Sequence, residues 1–305
     1  MQRRDMLKNL GLLAGSLGMG KEVLAQPVVS QEPLLRVAHI TDVHIQHLLG
    51  AVHGFEKCLH HLQNLDRVPD FIFNGGDAIM GLKQGSLKQN QRQFELFQKV
   101  LLAENSLPVY HCVGNHDIWH GKTAQFHSEK ERAKDYIGLS ESYYHFRHSG
   151  WNFIILDSVQ EGDTEKNYVG KIDADQMDWL KKTLKSIPFN EPVCMLSHIP
   201  ILSACVFFDG KNYKGQTWQL SGSWMHSDAS ELTDLFYLYP NVKLALSGHI
   251  HLLDKVVYNN VTYCCNGAVS GAWWMGDYRQ TSPGYALVDF YADGDFRVSY
   301  QSYKD

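Results

Sequence analysis

The chain has 305 residues, of which 44% are hydrophobic and 20% are charged, and its formal net charge is −5. This length supports one large α/β domain or two small ones, and the composition excludes a largely disordered chain. The negative charge, together with the lack of a basic stripe in the sequence, argues against a nucleic-acid polymer as a partner.

The N-terminus has the order of segments expected of an export signal. Arg3 and Arg4 are followed by a modest apolar stretch, 10–19, and by a cleavage pattern that ends at Ala25. The pattern resembles a twin-arginine signal, so we expect residues 1–25 to be removed and the protein to be periplasmic or secreted. No later apolar run is long enough to cross a bilayer, so we expect no transmembrane segment after cleavage. An amphipathic N-terminal helix is the alternative.

Cleavage also changes the charge of the chain. It removes four basic and two acidic side chains, which takes the net charge from −5 to −7. The six cysteines have no zinc-ribbon spacing, and we expect them to be buried thiols, although an exported protein permits disulfides.

Short apolar runs that end in polar residues recur along the chain and predict buried strands that lead into loops. In chain order these runs are 36–40, 70–73, 109–113, 151–156, 193–196 and 242–246. Helix-like segments at 55–65, 91–104 and 173–186 alternate with them, as expected of a mixed α/β domain over 34–305.

Two later regions break this alternation. Residues 201–230 have no clear period, which predicts a long insertion loop near the functional site. Short strands separated by turn signals follow from residue 254 and predict an antiparallel C-terminal sheet; they are 256–258, 261–265, 284–291 and 296–300. Four tryptophans of these regions could stack on a substrate ring or simply pack the loops: Trp218, Trp224, Trp273 and Trp274.

The polar residues at the strand ends are of the types that bind transition metals. Asp42 and His44 are two residues apart, as are His249 and His251, so each pair would point the same way from an extended segment. The tetrapeptide at 114–117, Gly-Asn-His-Asp, is rare by composition. Imidazole and carboxylate ligands without thiolate favour iron, manganese or zinc over calcium.

This ordered set resembles the motifs of the calcineurin-like metallophosphoesterase family, which run Asp-x-His, Gly-Asp, Gly-Asn-His-Asp/Glu, His and Gly-His-x-His. The match covers about 36–251. The resemblance implies a four-layer αββα sandwich with a mixed central sheet and an antiparallel C-terminal sheet, because the antiparallel C-terminal strands match the second sheet of the family's sandwich.

The resemblance also implies a role for each motif residue. One metal would be bound by Asp42, His44, Asp77 and His251, and a second by Asp77, Asn115, His198 and His249. His116 would face the leaving group of the substrate, and Asp117 would orient His116.

Together these features predict an enzyme in which a hydroxide bridging two metal ions attacks a phosphomonoester or phosphodiester, while His116 assists the leaving group. His44 and Met80 stand where purple acid phosphatases have a non-ligand and a tyrosine, so the chain is more similar to the branch with bacterial cyclic-nucleotide phosphodiesterases. A non-catalytic metal-binding module with the same fold is the alternative, and the complete ligand set favours the enzyme. The expected partner is a small phosphate ester of unspecified identity.

Overall fold

A computed structural model describes residues 32–81, 86–119, 125–162 and 167–304 of the chain. The expected signal segment, residues 1–25, lies outside the described residues. The chain divides after Glu32, and every feature below belongs to the unit that begins at Pro33. Within the described residues, none of the helices has the length and apolar character needed to cross a membrane.

The described strands form two large sheets and two small hairpins. In chain order they are β1 (Leu35–Ile40), β2 (Phe71–Asn74), β3 (Val109–His111), β4 (Tyr144–His148), β5 (Trp151–Leu156), β6 (Val159–Glu161), β7 (Tyr168–Gly170), β8 (Val193–Ser197), β9 (Tyr213–Lys214), β10 (Thr217–Trp218), β11 (Val242–Ser247), β12 (Asp254–Tyr258), β13 (Val261–Cys265), β14 (Gly284–Phe290) and β15 (Phe296–Ser302). The first sheet has the order β15-β14-β1-β2-β3, and the second has the order β12-β13-β11-β8-β5-β4. Both are mixed. In the first sheet β1, β2 and β3 are parallel and β14 and β15 add antiparallel pairs on one side, whereas in the second sheet the central parallel pairs have an antiparallel pair at each edge.

The helices cover the outer faces of the two sheets. They are α1 (Ala51–Gln63), α2 (Leu87–Glu104), α3 (Phe126–Ile137), α4 (Ala174–Ser186) and α5 (Ala229–Tyr237), and a short 3-10 helix spans Cys205–Phe207. Asp173 caps α4 by accepting a hydrogen bond from the Gln176 amide, which is where the sequence predicts that helix to begin.

Alternating side chains of the strands build three hydrophobic layers between the elements. In β1, Val37 faces a core between the two sheets, whereas Ala38 faces a core shared with α1, α2 and α3. A third core joins the second sheet to α4 and α5. The order of layers is therefore helices, sheet, sheet, helices, and the predicted four-layer sandwich is confirmed.

The C-terminal strands are divided between the two large sheets. β13 pairs in parallel with β11 and extends the second sheet together with β12, while β14 pairs with β1 and extends the first sheet together with β15. The C-terminal strands are antiparallel in pairs, as predicted, but each pair covers the edge of a different sheet. The connection between them, residues 266–283, passes over the strand ends from one sheet to the other.

The sequence pattern did not predict α3, α5 or β4. α3 is difficult to detect because several of its buried positions are charged, including Glu129, Lys130 and Lys134. Lys130 is accommodated by Asp157, whose carboxylate lies 2.8 Å from the ammonium group. A helix that is held partly by such an ion pair shows no apolar stripe in its sequence.

Candidate metal centre and its cleft

The predicted site residues all follow the carboxyl ends of parallel strands. Three of these strands belong to the first sheet and two to the second. Asp42 and His44 follow β1, Asp77 follows β2, Asn115 to Asp117 follow β3, His198 follows β8, and His249 and His251 follow β11. Because parallel strands of one sheet end at the same edge, the loops of both sheets converge there.

One group of ligand atoms comes from β1 and β11. His251 Nε2 lies 3.1 Å from His44 Nε2 and 3.3 Å from Asp42 Oδ1, and His44 Nε2 lies 3.7 Å from Asp42 Oδ1. Ligand atoms about 2.1 Å from one metal ion are separated by about 3 to 3.5 Å, so this spacing suits a shared cation.

A second group comes from the loops after β3, β8 and β11. His198 Nε2 lies 3.2 Å from Asn115 Oδ1 and 3.3 Å from His249 Nδ1. The same nitrogen lies 3.3 Å from Asp77 Oδ2. These four side chains offer nitrogen and oxygen ligands only, the donor set of a transition metal such as zinc, manganese or iron.

Asp77 connects the two groups. Its Oδ2 lies 3.7 Å from His44 Nε2 in the first group and 3.3 Å from His198 Nε2 in the second. Its other oxygen, Oδ1, accepts a hydrogen bond of 2.7 Å from the His116 amide. The carboxylate is thereby held with one oxygen directed between the groups.

Backbone carbonyls orient three of the four candidate histidine ligands. Nδ1 of His198 bonds to the Gly75 carbonyl at 2.8 Å, and Nδ1 of His251 bonds to the Gly271 carbonyl at 2.6 Å. His249 is turned the other way, because its Nε2 bonds to the Ser223 carbonyl at 2.9 Å. Each ring donates its outer N–H and directs its other nitrogen inward, as metal-binding histidines do.

The buried carboxylates and imidazoles of the site shift the pKa values of one another. Burial would raise the pKa of Asp42 and of Asp77, but the neighbouring His251 and His198, respectively, hold both values below the ordinary range. Burial would lower the pKa of His198, but Asp77 raises it to about 9, and Asp42 likewise raises the pKa of His251. Each carboxylate thus favours positive charge at the neighbouring imidazole, and a bound metal ion would supply such a charge.

A buried oxygen of Asp42 also indicates a site for a cation. Oδ2 accepts hydrogen bonds from Thr41 and from the His249 amide, whereas Oδ1 accepts none from any described residue. A buried carboxylate oxygen without a donor is costly unless a cation binds it. The residues present therefore fit a metal centre.

The backbone at the ligands is unusual, which corrects the expectation of extended segments. Asp42, His44, Asp77, His249 and His251 all have positive φ, between 47° and 71°. Non-glycine residues seldom adopt this left-handed conformation, and such strain concentrates at functional sites. The paired ligands converge because the backbone turns sharply at each of them.

Two motif glycines allow the loops to approach closely. A Cβ on Gly248 would lie 2.1 Å from Thr41 Oγ1 and 2.4 Å from Asp42 Oδ2, and a Cβ on Gly114 would lie 2.2 Å from Asp77 Oδ1. Any side chain at either position would therefore displace a candidate ligand.

His116 and Asp117 differ from the expected pairing. Asp117 does not orient the His116 ring, because its carboxylate accepts hydrogen bonds from the amides of Asp77, Ala78 and Gly114. The ring of His116 instead bonds through Nδ1 to the carbonyl of Met80 at 2.5 Å. Asp117 thus holds the loop that carries Asp77, and Nε2 of His116 remains available at the site.

A cleft of about 400 Å³ opens over these residues. The ring of Trp273 packs on His251 with centroids 4.6 Å apart, and Trp224 reaches the cleft from the insertion loop. Trp274 lies behind the site and donates to the His44 carbonyl, while Trp218 packs on Tyr213 away from the cleft. Only two of the four candidate tryptophans therefore line the cleft.

Sequence reasoning missed three other polar residues of the cleft wall, Tyr168, Asp209 and Tyr278. Tyr278 donates a hydrogen bond to Asp209, and Arg279 lies 3.7 Å from the same carboxylate. Tyr168 also lines the cleft. None of them belongs to a motif, and the Asp209-Gly210 turn signal within the insertion loop is the one local feature that could have drawn attention to Asp209.

Comparisons with known proteins agree with this geometry. The family model described as Calcineurin-like phosphoesterase matches residues 35–253. A 3′,5′-cyclic-nucleotide phosphodiesterase of Nostoc sp. is 28% identical over 278 residues, covering 85% of this chain and 89% of the relative. The 3′,5′-cyclic adenosine monophosphate phosphodiesterase CpdA of Haemophilus influenzae is 23% identical over 283 residues, covering 88% and 90%. A dimetal phosphatase from Danio rerio has the same fold, with a TM-score of 0.63 at 15% identity, over 90% of this chain and 98% of that one.

Proposed function

The chain belongs to the calcineurin-like phosphoesterase family and is a metallophosphoesterase, and on that premise we propose that it hydrolyses a small phosphodiester, a 3′,5′-cyclic nucleotide, at a centre of two metal ions. The observation that carries the two-metal proposal is the position of Asp77 Oδ2, within 3.7 Å of a histidine nitrogen in each group of ligand atoms. A single carboxylate between two cations is the usual bridge of such centres.

The two ions would be held by the side chains of the two groups described above. One ion is assigned to Asp42, His44, Asp77 and His251, and the other to Asp77, Asn115, His198 and His249. When bound, the pair supplies positive charge that attracts the phosphate and acidifies a water molecule. Iron, manganese and zinc all suit these ligands.

His116 is proposed to move the proton that the leaving oxygen needs. Its Nδ1 is engaged with the Met80 carbonyl, so Nε2 is the atom that transfers the proton. The ring stands edge-on to His44, with centroids 4.6 Å apart, which places it beside the first group of ligands. His116 also lies close enough to His44 and Asp77 to bind a metal ion together with them. The metal content of a His116 variant therefore distinguishes a role in proton transfer from a role in metal coordination.

The shape of the cleft supports a nucleotide as the substrate. Trp273 and Trp224 offer aromatic faces for a base, and Asp209 and Arg279 offer hydrogen-bonding groups beside them. Stacking of a base on an aromatic side chain contributes about 1 to 3 kcal/mol. The two relatives named above as cyclic-nucleotide phosphodiesterases support the same substrate class.

A panel of phosphate esters on metal-loaded protein tests the proposal. We expect kcat/KM for a 3′,5′-cyclic nucleotide to exceed that for a nucleoside monophosphate and for a glycerophosphodiester by at least about tenfold. Trp273→Ala should raise KM for the cyclic nucleotide by about tenfold and leave the glycerophosphodiester nearly unchanged, with metal content verified.

Trp218→Ala is the matched control, because this tryptophan packs on Tyr213 outside the cleft. It should leave both substrates unaffected. Preference for a monoester, or an equal effect of Trp273→Ala on both diesters, would contradict the proposed substrate class.

A further inference from the structure

Two cysteines from distant parts of the chain meet beneath the insertion loop. Cys205 begins the short 3-10 helix that follows β8, and Cys265 is the last residue of β13. Both are buried in one small apolar cluster with Val206, Ile250 and Leu252. A hydrogen bond with the Cys205 thiol, together with burial, raises the pKa of Cys265 well above its ordinary value.

One carboxylate holds the backbones of both cysteines. Asp254 Oδ2 accepts hydrogen bonds from the amides of Ala204 at 2.6 Å and Cys205 at 2.8 Å, and from the Ser203 hydroxyl at 2.9 Å. Oδ1 of the same residue accepts from the Cys265 amide at 3.3 Å. Asp254 faces Cys265 across the β12–β13 pair, which fixes the position of the carboxylate. The same carboxylate therefore holds the backbones of Cys205 and Cys265 next to each other.

We propose that Cys205 and Cys265 are a disulfide site that closes when the protein meets a disulfide oxidant. Each thiol gives up its hydrogen and the two sulfurs join. The two electrons and two protons pass to the oxidant, whose own sulfur–sulfur bond is reduced to two thiols.

The other cysteines provide an internal comparison. Cys194 and Cys264 are also buried and face the same core, but β11 lies between their strands β8 and β13. Two strand spacings separate them by about 9.5 Å, beyond the roughly 7 Å limit between α-carbons of a disulfide. Cys58 lies on α1 and Cys112 follows β3. Burial alone therefore does not distinguish the proposed pair, whereas proximity does.

The bond would tie the cleft wall to the ligand loops. The insertion loop that begins near Cys205 carries Asp209 and Trp224 into the cleft, and the Cys265 thiol donates a hydrogen bond to the carbonyl of Gly248, next to His249. Closing the 205–265 loop also restricts the unfolded chain, so the thermal midpoint rises on oxidation.

The test compares reduced protein with protein incubated with oxidised glutathione. Of the six cysteines, two enter the bond, so free thiols titrated after denaturation should fall from six to four. Peptide mapping without reductant should show Cys205 joined to Cys265, with the loss of two hydrogens in mass. The thermal midpoint should rise in parallel.

Two variants make the result specific. Cys265→Ser leaves five thiols, which should stay at five on oxidation and give no rise in thermal midpoint. Cys194→Ser is the matched control and should fall from five thiols to three, since the pair is intact. The proposal is overturned if wild-type protein keeps six thiols, if another pair is found joined, or if a glutathione adduct persists on Cys205 unresolved.

Discussion

Five of the seven candidate ligands make a second interaction that sets their direction. Asp42 accepts from the His249 amide through the oxygen that faces away from the cluster, and Asp77 accepts from the His116 amide in the same way. Backbone carbonyls take the outer N–H of His198 and His251. Ligands that are oriented before a metal arrives lose little freedom on binding, which favours tight and geometrically defined coordination.

His116 gives the sharpest prediction at the scale of single residues. General acid catalysis is worth about 10²- to 10⁴-fold, and the gain depends on how badly the departing oxygen needs a proton. His116→Ala should therefore lower kcat far more for an alkyl phosphate ester than for a nitrophenyl ester of equal charge, because nitrophenolate leaves unaided. Metal content measured on the same samples should be unchanged. Equal losses for the two esters with intact metals would remove the acid role from Nε2.

The side-chain ligands could be predicted from the sequence, whereas their supports could not. Asp77 and His198 follow apolar strand segments, and their residue types are rare in such positions unless they bind something. The carbonyls of Gly75, Ser223 and Gly271 are backbone atoms, so no residue type marks them. Their contribution becomes visible only with the loops in place.

At the scale of elements, the connection between β13 and β14 links the two sheets at the site. It runs through residues 266–283 and contacts both ligand loops: the Ser270 hydroxyl donates to the Asp42 carbonyl, and the Gly271 carbonyl binds His251. The sequence predicts the strands at either end of it, because alternation and turn residues are local signals. Which sheet each strand joins depends on long-range pairing, so the sequence predicts the antiparallel C-terminal pairs but not their division between the two sheets.

His39 of β1 shows how the two sheets are linked and predicts an acid sensitivity. Its Nδ1 accepts a hydrogen bond of 2.7 Å from Asn266, and burial lowers its pKa to about 4 from the ordinary value of 6.5. Between pH 6.5 and 4, His39 is protonated in the unfolded chain but neutral in the folded protein. The free energy of unfolding that is present above pH 6.5 therefore decreases as the pH falls towards 4. The loss amounts to about 3 kcal/mol at most.

Urea unfolding of metal-free protein between pH 4.5 and 7 measures the contribution of His39 to the free energy of unfolding. His39→Gln keeps a hydrogen-bond acceptor but does not titrate, so its free energy of unfolding should fall less steeply with acid than that of wild type. Near pH 5.5, the slopes of unfolding free energy against pH should differ by an amount that corresponds to nearly one bound proton. Parallel slopes for the two proteins would show that His39 is not held neutral in the fold.

At the scale of the whole molecule, the net charge and the N-terminal sequence motivate a proposal about the substrate and the location of the protein. The chain carries a net charge of −5, so attraction of an anionic substrate depends on the cations of the site. We propose export by the twin-arginine route, which carries folded proteins and would allow metals to be loaded beforehand.

Replacing Arg3 and Arg4 with lysine tests the route. The double variant should accumulate as uncleaved precursor in the cytoplasm, seen by fractionation and immunoblotting, while wild type is processed and exported. A protein carrying Lys8→Arg is a suitable control, because it keeps the charge and the arginine pair. Undiminished export of the double-lysine variant would show that the general secretory route suffices.

Metal stoichiometry tests the shared role of Asp77 most directly. Elemental analysis of protein saturated with manganese, zinc or iron should give close to two ions per chain. Asp77→Asn should weaken both sites, because its Oδ2 faces histidines of both groups, whereas His44→Ala should empty mainly one. A saturated content of one ion or none, with activity that withstands chelation, would contradict the two-metal centre.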